Sequence, residues 1–565
     1  MSRIRSILPL SLILAGAGCA TVPAPTAQTH ADEHTAAAAP APAQHRGHIV
    51  KPNEIDAHVR FLSSDLLEGR APATRGGRLA AEYIASQLQL FGVEPGANGS
   101  YFQEFPIEVV AADRSNLSVT ASGRATARLR YPEDVVVWAG SAGPRSQASG
   151  ELVFVGYGTA APEFRWDDFK GVDVRGKILL VLVNDPPETA AEPKLFGGRA
   201  MTYYGRWTYK FEEAERRGAA GMLIVHTTER AGYPWHTVVG SWAKEQRMLP
   251  RPATGPAPIG VRGWITDSAA KALLSQAGVD LAQLVRSAES REFRPVSTGI
   301  NVSMSFPNTV QRLQAVNVVG LVRGADPAKS GEYVAYSAHF DHLGIGPPVK
   351  GDSIYNGALD NASGVAVILG VSHSATHSPR PARSQLFVFV DAEESGLLGS
   401  EYFAARPTVP IGKIVANLNV DGGNLLGRAS TLRVLGDTKS SLGPMLADFV
   451  RADTLTIAPD THPERGYFYR SDHFSFAKVG VPSASIAAGV EFVGRPAGWG
   501  VEQGEDYTSH RYHQPSDEYR PDFDLTGAAQ LAGIVYRFGS WLANSAVVPT
   551  WNQDAEFRAL RPGGQ

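Results

Sequence analysis

Cysteine is almost absent from this 565-residue chain, because Cys19 is the only one. A single thiol rules out intrachain disulfides, even in an oxidising compartment. An excess of charge of either sign is also missing, since 53 Lys and Arg face 56 Asp and Glu. This balance gives no support for nucleic acid or a polybasic membrane surface as a partner. The length predicts two folded domains with tails.

The N-terminus carries an apolar run that is too short to span a bilayer. Residues 7–17 are apolar and follow Arg3 and Arg5, a pattern typical of a secretory signal. Cys19 resembles the processing site of bacterial lipoproteins, where the cysteine becomes the lipidated first residue, while an ordinary signal cleaved nearby is the alternative. We therefore expect export to the periplasm, to the outer membrane through a lipid anchor, or into the medium.

Composition divides the rest of the chain into a linker, a first domain and an insert. The linker is rich in Ala and Pro and cannot bury a core, and its histidines, of which His48 is the last, lack helical or hairpin spacing. The predicted boundaries are 1–19 for the signal peptide, 20–48 for the disordered linker, 49–140 for the start of the first domain, 141–303 for the insert, 304–550 for the rest of the first domain and 551–565 for a C-terminal tail.

Strands alternate with helices from about residue 310 onward. This alternation predicts an α/β fold, a doubly wound and mostly parallel mixed sheet flanked by helices and mixed at one edge. The predicted strands are 315–321, 333–338, 385–390, 414–420, 431–435 and 482–487, and the predicted helices are 362–374, 399–405, 441–452 and 525–543. The insert has short strands with many glycines and prolines, which indicates a second, β-rich domain.

The first candidate metal ligands follow the predicted strand 333–338. This strand is apolar and suits a sheet covered on both faces. His339 and Asp341 come just after it, two residues apart, so their side chains leave the same side of an extended chain. An imidazole then lies beside a carboxylate that can hold its other N–H, as is usual around zinc. Asp360 follows in a turn-rich segment that opens a predicted helix.

Two more predicted strands end in acidic residues. Asp391, Glu393 and Glu394 follow one of them, and Asp421 follows the next. Ligands gather at the carboxyl ends of strands in such sheets, and several carboxylates packed together repel unless a cation neutralises them. His513, in a late loop, supplies a second imidazole.

This ligand set suits two divalent ions. Such a pair, about 3.5–4 Å apart, needs one bridging carboxylate and then one histidine and one acid for each ion. Imidazole with carboxylate favours zinc over magnesium or calcium, with cobalt and manganese as alternatives. The adjacent Glu393 and Glu394 cannot both point the same way on an extended chain, so one can bind metal while the other faces water as a general base.

Five motifs resemble those of the co-catalytic zinc aminopeptidase family, which includes bacterial leucyl aminopeptidases and glutamate carboxypeptidase. The motifs are AHFDHLG at 338–344, GALDNASG at 357–364, DAEESGLLGS at 391–400, NVD at 419–421 and YHQPSD at 512–517. The order of strands in the insert, with DVRGK at 173–177, is similar to the protease-associated domain of secreted peptidases. The resemblance therefore implies a zinc peptidase domain with a protease-associated insert.

The resemblance also implies a role for each candidate residue. Asp360 would bridge two zinc ions, with His339 and Asp421 on one ion and Glu394 and His513 on the other. Glu393 would be the general base, Asp341 would orient His339, and the peptide bond after Asp360 would be cis.

The implied activity is hydrolysis of peptide bonds by metal-activated water. We expect an aminopeptidase that acts on short peptides. A carboxypeptidase or dipeptidase on the same scaffold is the alternative, because the groups that face the substrate's amine or carboxylate cannot be placed from sequence. A metal-free binding protein is a third reading, but it would have lost ligands that are all present here. His342, Asp472 and His473 are secondary candidates for the pocket.

Overall fold

The computed structural model describes residues 48–251 and 254–561. The predicted signal peptide, Cys19 and the linker up to residue 47 lie outside the described residues, as do residues 562–565 of the predicted tail. The described residues all fall in one unit, Gln44–Gln565. Within the described ranges, no helix is both long and apolar enough to cross a membrane.

Four parallel strands form the centre of the main sheet. In spatial order they are Ser384–Val390, Tyr333–His339, Ile414–Asn419 and Ser483–Ala488. Nearly every residue in them is buried. Their near-continuous apolar runs suit strands that helices cover on both faces.

Antiparallel strands extend the main sheet on both sides of this centre. Val296–Val322 pairs with Ser384–Val390, and Phe102–Ala112 pairs with Val296–Val322. On the far side, Thr431–Leu435 pairs antiparallel with Ser483–Ala488. The short strands Glu94–Pro95, Gln246–Met248 and Thr456–Ala458 complete the sheet. The predicted mixed α/β sheet is confirmed, although its antiparallel pairs lie on both sides and not at one edge.

A second sheet is built around the other end of Val296–Val322. On one side of that shared strand lie Ser118–Ser122 and then Thr126–Arg128. On its other side lie, in spatial order, Arg145–Phe154, Ile178–Leu182, Gly221–His226, Val261–Thr266 and Val135–Ala139. The pairing of this sheet therefore starts at Ser118, whereas the sequence-based boundary of the insert was 141. The strands before 141 are short and separated by polar turns, so composition alone did not join them to the insert.

The strand Val296–Val322 is shared by the two sheets. Residues 301–305 pair with strands of the second sheet on both sides, and residues 308–318 pair with Phe102–Ala112. Burial alternates along the first part of this strand and becomes continuous in its last eight residues. Pro307 and the polar residues after it interrupt the apolar pattern, so the sequence predicts only the portion from residue 315 onward.

Helices cover the main sheet and border the second. The α-helices are Pro52–Leu62, Arg75–Leu90, Trp207–Arg216, Thr228–Ala231, Trp235–Trp242, Asp267–Gln276, Leu281–Ala288, Ser363–Thr376, Leu398–Ala405, Leu442–Val450, His473–Ala477, Trp499–His510 and Thr526–Asn544. The four helices predicted after residue 360 are confirmed within about two residues at most ends. Trp551 and Phe557 are buried against each other and Phe468, so the described part of the predicted tail belongs to the folded body.

Candidate metal centre

The candidate ligands come together at the carboxyl edge of the parallel strands. His339 ends its strand, Asp421 lies just after the neighbouring strand, and Asp360 precedes the helix Ser363–Thr376. His339 Nε2 lies 3.3 Å from Asp360 Oδ1 and 3.4 Å from Asp421 Oδ1. The ligand atoms of these three residues all lie within 4.8 Å of one another. One imidazole and two carboxylates therefore surround a single point.

A second group of ligands shares Asp360. Its other carboxylate oxygen, Oδ2, lies 3.3 Å from His513 Nε2, which is in turn 3.2 Å from Glu394 Oε2. His342 also belongs here, because its Nδ1 lies 2.7 Å from Glu394 Oε1 and it can share a metal with Asp360 and Glu394. The two oxygens of Asp360 thus face two different groups of ligands.

Asp341 lies behind the first group and supports it from a fully buried position. His339 Nδ1 faces this residue, 3.3 Å from its backbone carbonyl and 3.7 Å from its carboxylate. The two carboxylate oxygens of Asp341 accept hydrogen bonds from the backbone N–H groups of Glu393 and Glu394, at 3.0 and 3.3 Å. One carboxylate therefore positions both the imidazole and the turn that carries the two glutamates.

The backbone around Asp360 is held from two directions. Asp517 accepts hydrogen bonds from the backbone N–H groups of Leu359 and Asp360. The Asn361 side chain donates to the carbonyl of Val420 and accepts from the N–H of Gly422, which fixes the loop of Asp421. The peptide bond between Asp360 and Asn361 is cis, as the resemblance implied.

Arg70 is a supporting residue whose function the sequence did not reveal. It is fully buried and donates hydrogen bonds to four backbone carbonyls, those of Leu62, Phe340, Asn356 and Gly357. Phe340 lies between His339 and Asp341, and Gly357 begins the segment of Asp360. No nearby spacing pattern marks Arg70, because its four acceptors are backbone atoms that come from distant parts of the chain.

The electrostatics of the cluster follow from burial and from close opposite charges. Burial alone would lower the pKa of His339, but Glu393 and the hydrogen bonds with the surrounding aspartates raise it well above its usual range. Burial likewise opposes ionisation of Asp360, yet its hydrogen bonds to the two histidines hold its pKa well below the usual range. The pKa of His513 is about 10, because Glu394 and Asp360 outweigh its burial.

Glu393 differs from its neighbour Glu394. Burial raises the pKa of Glu393 well above its usual range, and the carboxylates of Glu394, Asp421 and Asp472 add to this effect although His339 opposes it. The pKa of Glu394 is instead lowered, because His513 and His342 outweigh its burial. The two adjacent glutamates therefore lie in different environments, and Glu393 is in neither group of ligands.

The donor atoms fit divalent metal ions. Among the described residues, both ring nitrogens of His342 and Oε1 of Glu394 are buried without a hydrogen bond, although Nδ1 and Oε1 lie only 2.7 Å apart. Buried polar atoms without hydrogen bonds are costly, and a shared cation would satisfy them. Imidazole nitrogen and carboxylate oxygen are the donors that zinc accepts.

The metal centre opens into a cleft of about 2550 Å³ that is lined by residues at the carboxyl edge of the main sheet and by residues of the insert. Asp360, Glu393 and Asp421 line its floor, while Tyr203 and Trp207 of the insert line its wall. Aromatic side chains of the insert therefore face the cleft.

The secondary candidates Asp472 and His473 are fully buried and do not line the cleft. Burial raises the pKa of Asp472 to about 7 and lowers that of His473 to about 4. The preceding Ser471 does line the cleft.

Residues 317–538 match the model of Peptidase family M28. Among curated proteins, the chain is 27% identical over 262 residues to "Probable lipoprotein aminopeptidase LpqL" of Mycobacterium tuberculosis, an alignment that covers 42% of this chain and 48% of the relative. It is 25% identical over 380 residues to "Probable glutamate carboxypeptidase AMP1" of Arabidopsis thaliana, covering 60% of this chain and 47% of the relative. The chain thus spans about half or less of the length of these relatives.

Among solved structures, the chain is similar to "Aminopeptidase from Aneurinibacillus sp. strain AM-1". The TM-score is 0.49 with 19% identity, and the match covers 86% of this chain and 93% of the other. "The structure of BSAP, a zinc aminopeptidase from Bacillus subtilis" has a TM-score of 0.42 with 19% identity, and it covers 86% of this chain and 94% of the other.

Proposed function

Because residues 317–538 match peptidase family M28, we propose that this protein is a dizinc aminopeptidase that removes N-terminal residues from short peptides. The observation that carries the proposal is the position of Asp360, whose Oδ1 and Oδ2 each lie 3.3 Å from a different histidine. A carboxylate with one oxygen toward each ligand group is the arrangement that a bridging ligand needs.

In this proposal, five residues would hold the metals: Asp360 would be shared by two ions, His339 and Asp421 would hold one of them, and Glu394 and His513 would hold the other. His342, which contacts Glu394, can also complete the second group. When bound, zinc supplies Lewis acidity that polarises a carbonyl and lowers the pKa of water.

Glu393 is proposed as the general base. It lines the cleft beside the ligand groups without belonging to either, so its carboxylate is free to take a proton from the attacking water. The same residue then donates this proton to the amine that leaves. Asp341 holds the backbone of Glu393 and orients His339, and it acts through those residues and not on the substrate.

A carboxypeptidase is the second candidate, because basic side chains line the same cleft. Lys244, Arg247 and Arg470 are among them, and Glu394 interacts electrostatically with Lys244. A cationic wall can bind the carboxylate at the C-terminus of a peptide, whereas an aminopeptidase must recognise a free amine. The substrate's blocked end therefore distinguishes the two activities.

The test is an assay of the purified protein against three versions of one peptide: free at both ends, acetylated at the N-terminus and amidated at the C-terminus. An aminopeptidase cleaves the free and amidated peptides and spares the acetylated one, and a chelator abolishes cleavage until zinc is restored. Cleavage of the acetylated peptide with loss of the amidated one would show a carboxypeptidase. No cleavage of any peptide by the zinc-loaded protein would refute both.

We also propose that the protein is exported and anchored through a lipidated Cys19, with a protease-associated insert above the cleft. The apolar residues 7–17 before Cys19 support export, and the word lipoprotein in the name of one relative supports the anchor. Metabolic labelling with a radioactive fatty acid should label the wild type and not Cys19→Ser. Equal labelling of both would contradict the anchor.

A further inference from the structure

A second group of histidines lies at the far end of the helix Ser363–Thr376. His373 is in the last turn of this helix, and His377 follows it as the C-terminal cap. Glu54, in the first turn of the helix Pro52–Leu62, faces them together with His48. A helix of this length spans about 20 Å, so this cluster is well separated from Asp360 at the helix's other end.

The polar atoms of this cluster converge on one carboxylate oxygen. Glu54 Oε2 lies 2.8 Å from His48 Nε2 and 3.5 Å from His373 Nδ1. The ligand atoms of the three residues lie within 4.8 Å of one another. The ligand atoms of His339, Asp360 and Asp421 also lie within 4.8 Å of one another.

The imidazole rings are packed together and partly shielded from water. The His48 and His373 rings have centroids 3.9 Å apart, and the His377 ring lies 4.5 Å from that of His373. Phe91 stacks against His373 at 4.3 Å. The side chains of His48, Glu54 and His373 are 18%, 25% and 22% exposed, so an ion could enter from solvent and still be partly enclosed.

We propose that His48, Glu54 and His373 bind one further divalent ion of the zinc class, distinct from the proposed catalytic pair. Two imidazole nitrogens and a carboxylate oxygen are donors that suit zinc, nickel or copper better than magnesium or calcium. His377 lies four residues after His373 on the same helix face and provides a third imidazole at the edge of the site.

An ion at this position would stabilise the fold and not take part in catalysis. It would join the segment that enters the domain at His48 to the first helix and to the helix that follows Asp360. His373 is far in sequence from His48 and Glu54, so the unfolded chain would bind the ion weakly, and binding to the folded state would raise stability. The alternative is that the imidazole rings stack on one another and His48 pairs with Glu54 without a metal ion.

The test compares the zinc content of the full-length wild type with that of His48→Gln and His373→Gln after equilibration with a fixed free zinc concentration. Each variant should bind one zinc ion fewer per chain than the wild type and keep its peptidase activity. His462→Gln is the matched control, because exposed His462 also lies beside a glutamate, Glu464, at 3.2 Å. It should bind as much zinc as the wild type. Equal zinc content in all four proteins would overturn the proposal.

Thermal unfolding provides a second measurement that does not depend on counting ions. Added zinc should raise the melting temperature of the wild type and of His462→Gln by more than it raises that of His48→Gln. An equal rise in all three would also overturn the proposal. Both readouts are independent of peptide cleavage, so the failure of the proposed peptidase function would leave them unaffected.

Discussion

Replacing Glu393 by glutamine is expected to abolish proton transfer while leaving metal binding intact. A general base contributes about a hundredfold to ten-thousandfold to a rate. Glu393 is proposed both to take the proton from water and to return it to the amine, so we expect a loss near the upper end. A ten-thousandfold fall in kcat corresponds to about 5 kcal/mol of transition-state stabilisation.

The structure indicates why this loss should be specific. Glutamine has nearly the same shape, and the hydrogen bond from the backbone N–H of residue 393 to Asp341 does not depend on the side chain. Glu393 belongs to neither ligand group, so Glu393→Gln should keep its zinc. Glu394→Gln, one residue away, should lose both zinc and activity, because Glu394 contacts His342 and His513.

The assay is hydrolysis of a chromogenic amino-acid anilide, with metal content measured on the same samples. Glu245→Gln is the matched control, since Glu245 lines the cleft but is exposed and paired with Arg247. It should retain nearly full activity. If Glu393→Gln kept more than a tenth of the wild-type kcat, the assignment of Glu393 as the base would be refuted.

Three further predictions concern residues that support the metal centre or the fold around it. Asp341→Asn should lower kcat or zinc affinity by about ten- to a hundredfold, because its carboxylate positions His339; unchanged kinetics and zinc binding would contradict this. Burial lowers the pKa of His58 to about 4, so as the pH falls His58 is protonated in the unfolded chain before it is protonated in the folded one. The free energy of unfolding should therefore fall by roughly 3 kcal/mol from about pH 6.5 to pH 4. His58→Gln should show a smaller fall in urea titrations, and an identical fall would exclude His58 as the cause. Gly364→Ala should lower the melting temperature, because the added Cβ would lie 2.0 Å from Asn361 Oδ1. Gly533→Ala should raise the melting temperature slightly, because the space around Gly533 is open and alanine favours a helix. Equal effects of the two substitutions would contradict the steric argument.

The ends of the central strands could be predicted because each strand is an apolar run that stops at a charged residue. His339, Asp391 and Asp421 all mark such ends, and parallel pairing then brings them to one edge. The side-chain period of two predicted that Glu393 and Glu394 would differ, and they do lie in different environments. The strand ends at Val390, however, and Ala392 has a positive φ, so a turn and not the period of an extended strand separates the two side chains. These inferences needed only local patterns.

Other features depend on contacts that a local pattern does not encode. Arg70 is held by carbonyls from residues that are as many as 287 positions away in the chain. His342 enters the second ligand group through its contact with Glu394, a residue that is distant in sequence. The histidine cluster of His48 and His373 joins two segments that sequence spacing could not relate, so the histidines before the first helix were interpreted only as part of a solvated linker.

The strand Val296–Val322 makes the insert inseparable from the main sheet. One continuous backbone carries the register of both sheets, so a slip of one residue would turn the side chains of both to the opposite face. An insertion near residue 307 would therefore disturb the strand's register either against the insert or against the strand Ser384–Val390, which precedes Glu393. Replacing the whole insert would therefore require a new strand at Val296–Val322 whose register matches that of both sheets.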